Sequence, residues 1–188
     1  CGDYDVDGIT ATVILLKTLR ELDAEVSYYI PNRFKDGYGI NQEIVEKFQS
    51  EGVELIITVD NGIVATEAVD YCNEIGLDII ITDHHHLEEE LPNTEYILHP
   101  KLEGNLMEFD ICGAAVAFLL AKGLLTENDS RDDLIELAAL GTIADMMPLD
   151  QEFNRAISYI GFQKIKKNPP LLIEQFIKFQ KIEHFTSD

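Results

Sequence analysis

The chain has 188 residues, enough for one domain or for one domain and a connecting segment, and its 46% apolar content is enough to build a core without staples. Its charge is extreme, 14 Lys and Arg against 35 Asp and Glu, for a net charge of -21. Such a chain repels nucleic acid over most of its surface, so any polyanionic substrate must be held locally by cations or by a few arginines and lysines.

No stretch approaches the ~20 apolar residues of a membrane span. The start shows no signal-peptide pattern. Cys1, Cys72 and Cys112 are too few and too scattered for a disulfide framework. A reducing, cytoplasmic setting is expected. The sequence opens without Met in what reads as a strand-to-helix turn, so a first strand upstream and further domains beyond it are expected.

The opening reads Cys1-Gly2-Asp3-Tyr4-Asp5-Val6-Asp7-Gly8. Ile9, Val13, Leu16, Leu19 and Leu22 follow at helical spacing. If the backbone before that helix is extended, the alternating Asp3, Asp5 and Asp7 face one way and can converge on a cation. A solvated acidic turn with an Asp N-cap is the other reading, and residues alone leave both open. Glu25 to Ile30 reads as a strand. Pro31 to Gly39 is a loop with two glycines, an aromatic residue and the cations Arg33 and Lys35, suited to a phosphate or simply a surface connection. Ile40 to Gln49 is helical.

Val53 to Val59 is the next strand and ends in Asp60-Asn61-Gly62. Ala65 to Ile75 is a helix with Gly76 as its C-cap. Leu77 to Thr82 is an almost wholly apolar run, the pattern of a buried parallel strand, and it ends in Asp83-His84-His85-His86. Ligands of open α/β sheets bind beyond the carboxyl ends of the strands. A carboxylate and three imidazoles there point to a metal or phosphate site. If the two strands are parallel neighbours, Asp60 and Asp83 share one rim.

Tyr96 to Leu98 is a short strand, and His99 after it reads as a turn residue. Cys112 to Leu125 and Leu134 to Leu140 are helices. The second runs into Gly141 to Pro148, where Asp145 is a lone acid in an apolar stretch and reads as a ligand. From Phe153 helical spacing continues, and a last amphipathic segment spans Leu171 to Ile182. Acids and imidazoles thus stand at four distant places: Asp5 with Asp7, Asp60, Asp83 to His86, and Asp145. An oxygen-rich set with imidazole suits Mn²⁺ or Mg²⁺. Two such cations about 3.5–4 Å apart can activate water and clamp a phosphoryl group.

In these motifs the sequence resembles the DHH superfamily of phosphoesterases, and within it the RecJ type of single-strand-specific exonuclease. The matching pieces are Asp3 to Gly8, Gly37-Tyr38-Gly39, Val59 to Gly62, Asp83-His84-His85, Cys112 to Phe118 and Leu140 to Asp145, in family order over nearly the whole chain. The resemblance implies an α/β fold, a three-layer parallel sheet with helices on both faces, followed by a helical connecting segment. It implies a catalytic domain over 1–150 and a helical linker over 151–188 leading to a DHHA1-type domain.

It further implies two Mn²⁺ ions, with Mg²⁺ as substitute. Asp5 and Asp7 would serve one ion each, Asp60 would bridge them, and His84 and Asp145 would complete the set. His85 would face the scissile phosphate, Asp83 would orient the histidine pair, and Arg33 would hold phosphate. Cys1 stands where many relatives carry a histidine. The implied activity is 5′-to-3′ hydrolysis of single-stranded DNA in recombination and repair. Short oligonucleotides or cyclic dinucleotides are the alternative substrates, and a non-catalytic binding module is the alternative class.

Overall fold

A computed structural model describes residues 1–102, 110–125 and 133–180. Three short strands form a fully parallel sheet: β1 (Leu55–Val59), β2 (Asp78–Thr82) and β3 (Ile97–Leu98), in the order β1-β2-β3. Register pairs Leu55 with Asp78 and Val59 with Thr82, so β1 and β2 end level. Alternation along β1 sends Ile56 to one face and Ile57 and Val59 to the other, as the two-residue repeat of a strand requires.

Each face carries helices. Against the Ile56 side, with Ile79 and Ile81, lie α2 (Gln42–Ser50) and α3 (Thr66–Ile75), through Ile44, Val45, Phe48, Val69 and Cys72. Gly76 closes α3 at φ 72°, a left-handed C-cap that glycine adopts without steric cost. Against the other face lie α1 (Val6–Glu21), α4 (Gly113–Leu124) and α5 (Leu134–Ala144), with Ala11, Ala114, Ala115, Ala117, Ala138 and Ala139 buried among them. Small side chains bring these helix backbones close together, and Lys17 of α1 also pairs with Asp133 at the start of α5. The expected three layers are present. Among the described residues no helix is long and apolar enough to cross a membrane.

Glu25 to Ile30 is not a strand of the sheet. The place beside β1 is taken by Cys1, whose amino group donates to the Ile57 carbonyl at 2.7 Å and whose carbonyl accepts from the Val59 N–H at 2.9 Å. The predicted strand lies one position further out, joined by the Gly2 N–H to the Tyr29 carbonyl at 2.9 Å. Its β-branched and aromatic residues suit an extended backbone.

Downstream, α6 (Glu152–Lys167) packs tightly on α5 and buries Ile157 and Ile165. At Gly161 a Cβ would stand 2.3 Å from the Ala139 Cβ and 2.7 Å from the Ile135 carbonyl oxygen. A final helix, α7, spans Leu171–Gln180, and residues 181–182 of the expected amphipathic segment lie outside the described residues. The α5–α6 contact makes a prediction. Gly161→Ala should destabilise the fold by about 1–3 kcal/mol through overpacking, read as a lower urea midpoint at unchanged slope. An unchanged midpoint would show that α6 is not part of the packed body.

Candidate metal centre

The site forms where β1, β2, α1, α4 and α5 present their ends to one another. Asp60 follows β1 at φ 62°, a left-handed conformation that Asp tolerates better than most residues. Its carboxylate is buried and Oδ1 has no hydrogen-bond partner, although His84 Nε2 stands 3.0 Å away. Asp83 follows β2, one strand over. The two acids do share a rim, yet they serve different ends.

Asp83 turns inward. Its Oδ2 accepts the Ile63 N–H at 2.9 Å. Its Oδ1 accepts the N–H groups of His84 (2.7 Å) and His85 (3.2 Å) and His85 Nδ1 at 2.7 Å. Burial works against its charge, but the hydrogen bonds from His85 and Ile63 outweigh it and hold the carboxyl below the usual range. The same bond from Asp83 raises His85 to about 9, against the effect of burial. His85 then offers Nε2 outward, 3.3 Å from the Tyr38 hydroxyl.

The backbone before α1 is not a straight strand. Asp5 is the N-cap of α1, with its side chain accepting the Gly8 N–H at 2.9 Å, so Asp7 already lies in the first helical turn. Convergence comes from the strand-to-helix turn rather than from alternation. Asp7 is buried, and both of its oxygens are held by the start of α4: Oδ2 by the Gly113 N–H at 2.6 Å and Oδ1 by the Ala114 N–H at 2.9 Å. A helix N-terminus favours an anion there. Gly113 and Gly141 leave the room. A Cβ at Gly113 would come within 2.6 Å of Asp60 Oδ1, and one at Gly141 within 2.5 Å of Asp7 Oδ1.

Asp145 sits at the C-cap of α5 and is partly exposed rather than buried, because the helix ends there at the mouth of the site. A carboxylate at a helix C-terminus meets the negative end of the dipole. Burial and the neighbouring acids raise its pKa, and His84 opposes this.

Three interlocking groups result. Ligand atoms of Asp7, His84 and Asp145 lie within 4.8 Å of one another, as do those of Asp60, His84 and His85, and those of Asp3, Asp5 and Asp60. The expected acids and His84 are therefore brought together, with Asp60 common to two groups. Sequence reasoning sets Asp3 in the alternation that can converge on a cation, but the resemblance assigns it no ligand role. It is buried, and burial raises its pKa. Cys1 joins none of these groups, and His86 is exposed.

Arg33 lies on its exposed loop with its guanidinium 5.0 Å from the centre of the ring of Tyr4, the residue between Asp3 and Asp5 in sequence. The far end of that loop is fixed by buried Asn61, whose Oδ1 accepts the Ile40 N–H and whose Nδ2 donates to the carbonyls of Cys1 and Val59.

The residues fit a divalent cation. Five clustered carboxylates, among them Asp60 with a buried oxygen that has no donor and Asp145 at a helix end, form a hard oxygen-rich donor set completed by imidazole. Crowding also shows in the pKa values. Burial, with Asp7 adding to it, pushes Asp60 up to about 7, while His84 is raised by Asp60 despite its own burial.

The N-terminal domain of the DHH family matches residues 1–142. The chain belongs to the DHH family. Among curated relatives it is 46% identical to the single-stranded-DNA-specific exonuclease RecJ of Bacillus subtilis, over 94% of this chain and 22% of that protein. It is 37% identical to RecJ of Escherichia coli over 88% of this chain and 31% of that protein. The chain thus spans between a fifth and a third of the length of these relatives. Among solved structures, RecJ of Thermus thermophilus in complex with Mn²⁺ superposes with a TM-score of 0.81 at 32% identity, covering 100% of this chain and 26% of that one.

Two outcomes test this DHH site. Below about pH 7 a cation must displace the proton that burial keeps on Asp60, so Mn²⁺ affinity should rise from about pH 5 to about pH 7 and then level off. Calorimetry in buffers of different ionisation enthalpy should count fewer released protons at the upper end. Gly113→Ala should weaken Mn²⁺ binding on the order of 10–100-fold by displacing Asp60. Parental affinity in that variant would contradict the packing described.

Proposed function

We propose that this DHH chain is the catalytic part of a Mn²⁺-dependent phosphodiesterase of the RecJ type, a 5′-to-3′ exonuclease on single-stranded DNA that works in recombination and repair in the cytoplasm. The observation that carries the reading is the cluster of Asp5, Asp7, Asp60, His84 and Asp145 around a buried oxygen that lacks a donor. Similarity to exonucleases at 46% and 37% identity supports the substrate.

In this reading Asp60, common to two of the ligand groups, would be shared by two cations. Asp5, with Asp3 beside it, serves one side, and Asp7 and Asp145 serve the other with His84. Bound there, the cations supply an activated water and neutralise charge on the phosphoryl oxygens. The chain does the rest. Asp7 is fixed in place by the start of α4, so its position costs no rearrangement when substrate arrives. Asp83 fixes the His85 ring, and His85, protonated near neutral pH by its bond to Asp83, turns Nε2 to a non-bridging or leaving oxygen. Arg33, always charged, holds a phosphate of the strand at the rim. On a chain of net charge -21, these local positive groups and the cations are what a polyanion can find.

Residues 1–150 are the DHH body in this proposal. Residues 151–188 lead to a DHHA1-type domain, with α6 as the rigid start of the connection.

Steady-state hydrolysis by the full-length protein with Mn²⁺ tests the proposal. Asp60→Asn should lower kcat by on the order of 10³-fold or more, since it removes the shared ligand. Arg33→Ala should mainly raise KM, by about tenfold, for loss of a charge-assisted phosphate contact. Full activity in Asp60→Asn would end the metal-dependent reading, and faster turnover of dinucleotides than of long single strands would replace the substrate.

A further inference from the structure

The turn that carries His84 and His85 is also held from behind, by a residue the mechanism does not use. β3 ends at His99, and parallel pairing with β2, through the Asp83 N–H to the Leu98 carbonyl at 3.2 Å, sets it behind the histidine turn. His99 is only 1% exposed. Its Nε2 lies 2.8 Å from the His85 carbonyl oxygen, and its Nδ1 accepts the Lys101 N–H at 3.1 Å. A ring nitrogen that faces a carbonyl must carry the proton, and one that faces an N–H must not. These two bonds fix the imidazole as the neutral Nε2–H tautomer. With both nitrogens given to backbone groups, His99 joins none of the ligand clusters among the described residues.

Its position completes the restraint on one residue. Asp83 holds the N–H and the ring of His85 from one side, and leaves the carbonyl free. His99 holds that carbonyl from the other side. Without it, one of the bonds that fix the peptide after His85 is lost, and the direction of the outward Nε2 rests on Asp83 alone. Catalytic groups tolerate displacement of only about 0.5 Å.

We propose that His99 is a positioning residue that fixes the peptide of His85 and so aims its Nε2 at the reacting phosphate. This deepens the functional reading above and rests on the role given there to His85.

The test uses the full-length protein with Mn²⁺ and a single-stranded oligonucleotide. His99→Leu removes both bonds at similar bulk. His99→Gln keeps one donor and one acceptor. His99→Leu should lower kcat on the order of 10–100-fold, as losses of orienting partners do, with KM within about twofold of the parent. His99→Gln should recover kcat to within about threefold of the parent. Parental kcat in His99→Leu overturns the proposal. So does a loss that falls on KM and melting temperature alike and that His99→Gln fails to restore, since that marks a merely structural role. A crystal structure of His99→Leu separates this proposal from the functional one: an unmoved His85 peptide refutes the positioning role whatever the activity. Absence of Mn²⁺-dependent hydrolysis in the parent refutes the functional reading while leaving that structural comparison intact.

Discussion

The electrostatic problem at Asp60 governs the architecture around it. A buried anionic oxygen without a donor is costly, and here four more carboxylates stand close by. The fold bears this cost through fixed dipoles placed around the cluster. The start of α4 takes both oxygens of Asp7 and backbone N–H groups take Asp83, while His84 Nε2 stands 3.0 Å from Asp60 without completing a bond to it. What these donors leave uncompensated is the charge that a divalent cation would neutralise. The cluster is unstable as a set of bare acids and well suited as a set of ligands.

Close packing makes the gathering possible. Gly113 and Gly141 stand where any side chain would strike Asp60 or Asp7. The alanines between α1, α4 and α5 draw three helix backbones together, so that an N-terminus and a C-terminus meet over the rim of the sheet. The small-residue content of α4 is therefore tied to the chemistry as well as to the core.

Much of this is legible in the sequence because strand ends and helix starts have sharp signatures. The apolar runs before Asp60 and Asp83 place both acids on one rim, and the helical periods place the layers. The separate tasks of the two acids follow only from the family resemblance, since a pattern of residue types does not say which way a carboxylate turns. The segment expected as a strand at Glu25 to Ile30 lies beside Cys1 and Gly2 rather than in the β1-β2-β3 ladder, since extended propensity is local and does not say which neighbour a segment meets. Asp145 reads as a buried acid because its neighbours are apolar, but it ends a helix and faces the mouth. His99 escapes a sequence reading because its significance lies in what it meets across space. In the sequence it reads as punctuation before a proline.

Asn61 ties the glycine loop to the strand that carries the cluster. One amide joins Ile40, Cys1 and Val59, which belong to the end of the glycine loop, the opening segment and β1. The loop that carries Arg33 and Tyr38 is thus clamped at its downstream end to the same backbone that delivers Asp60. Asp36 ties the loop's middle to Tyr29, Asn32 and Asn41, so the span between Arg33 and the acids is fixed from both directions before any ligand arrives.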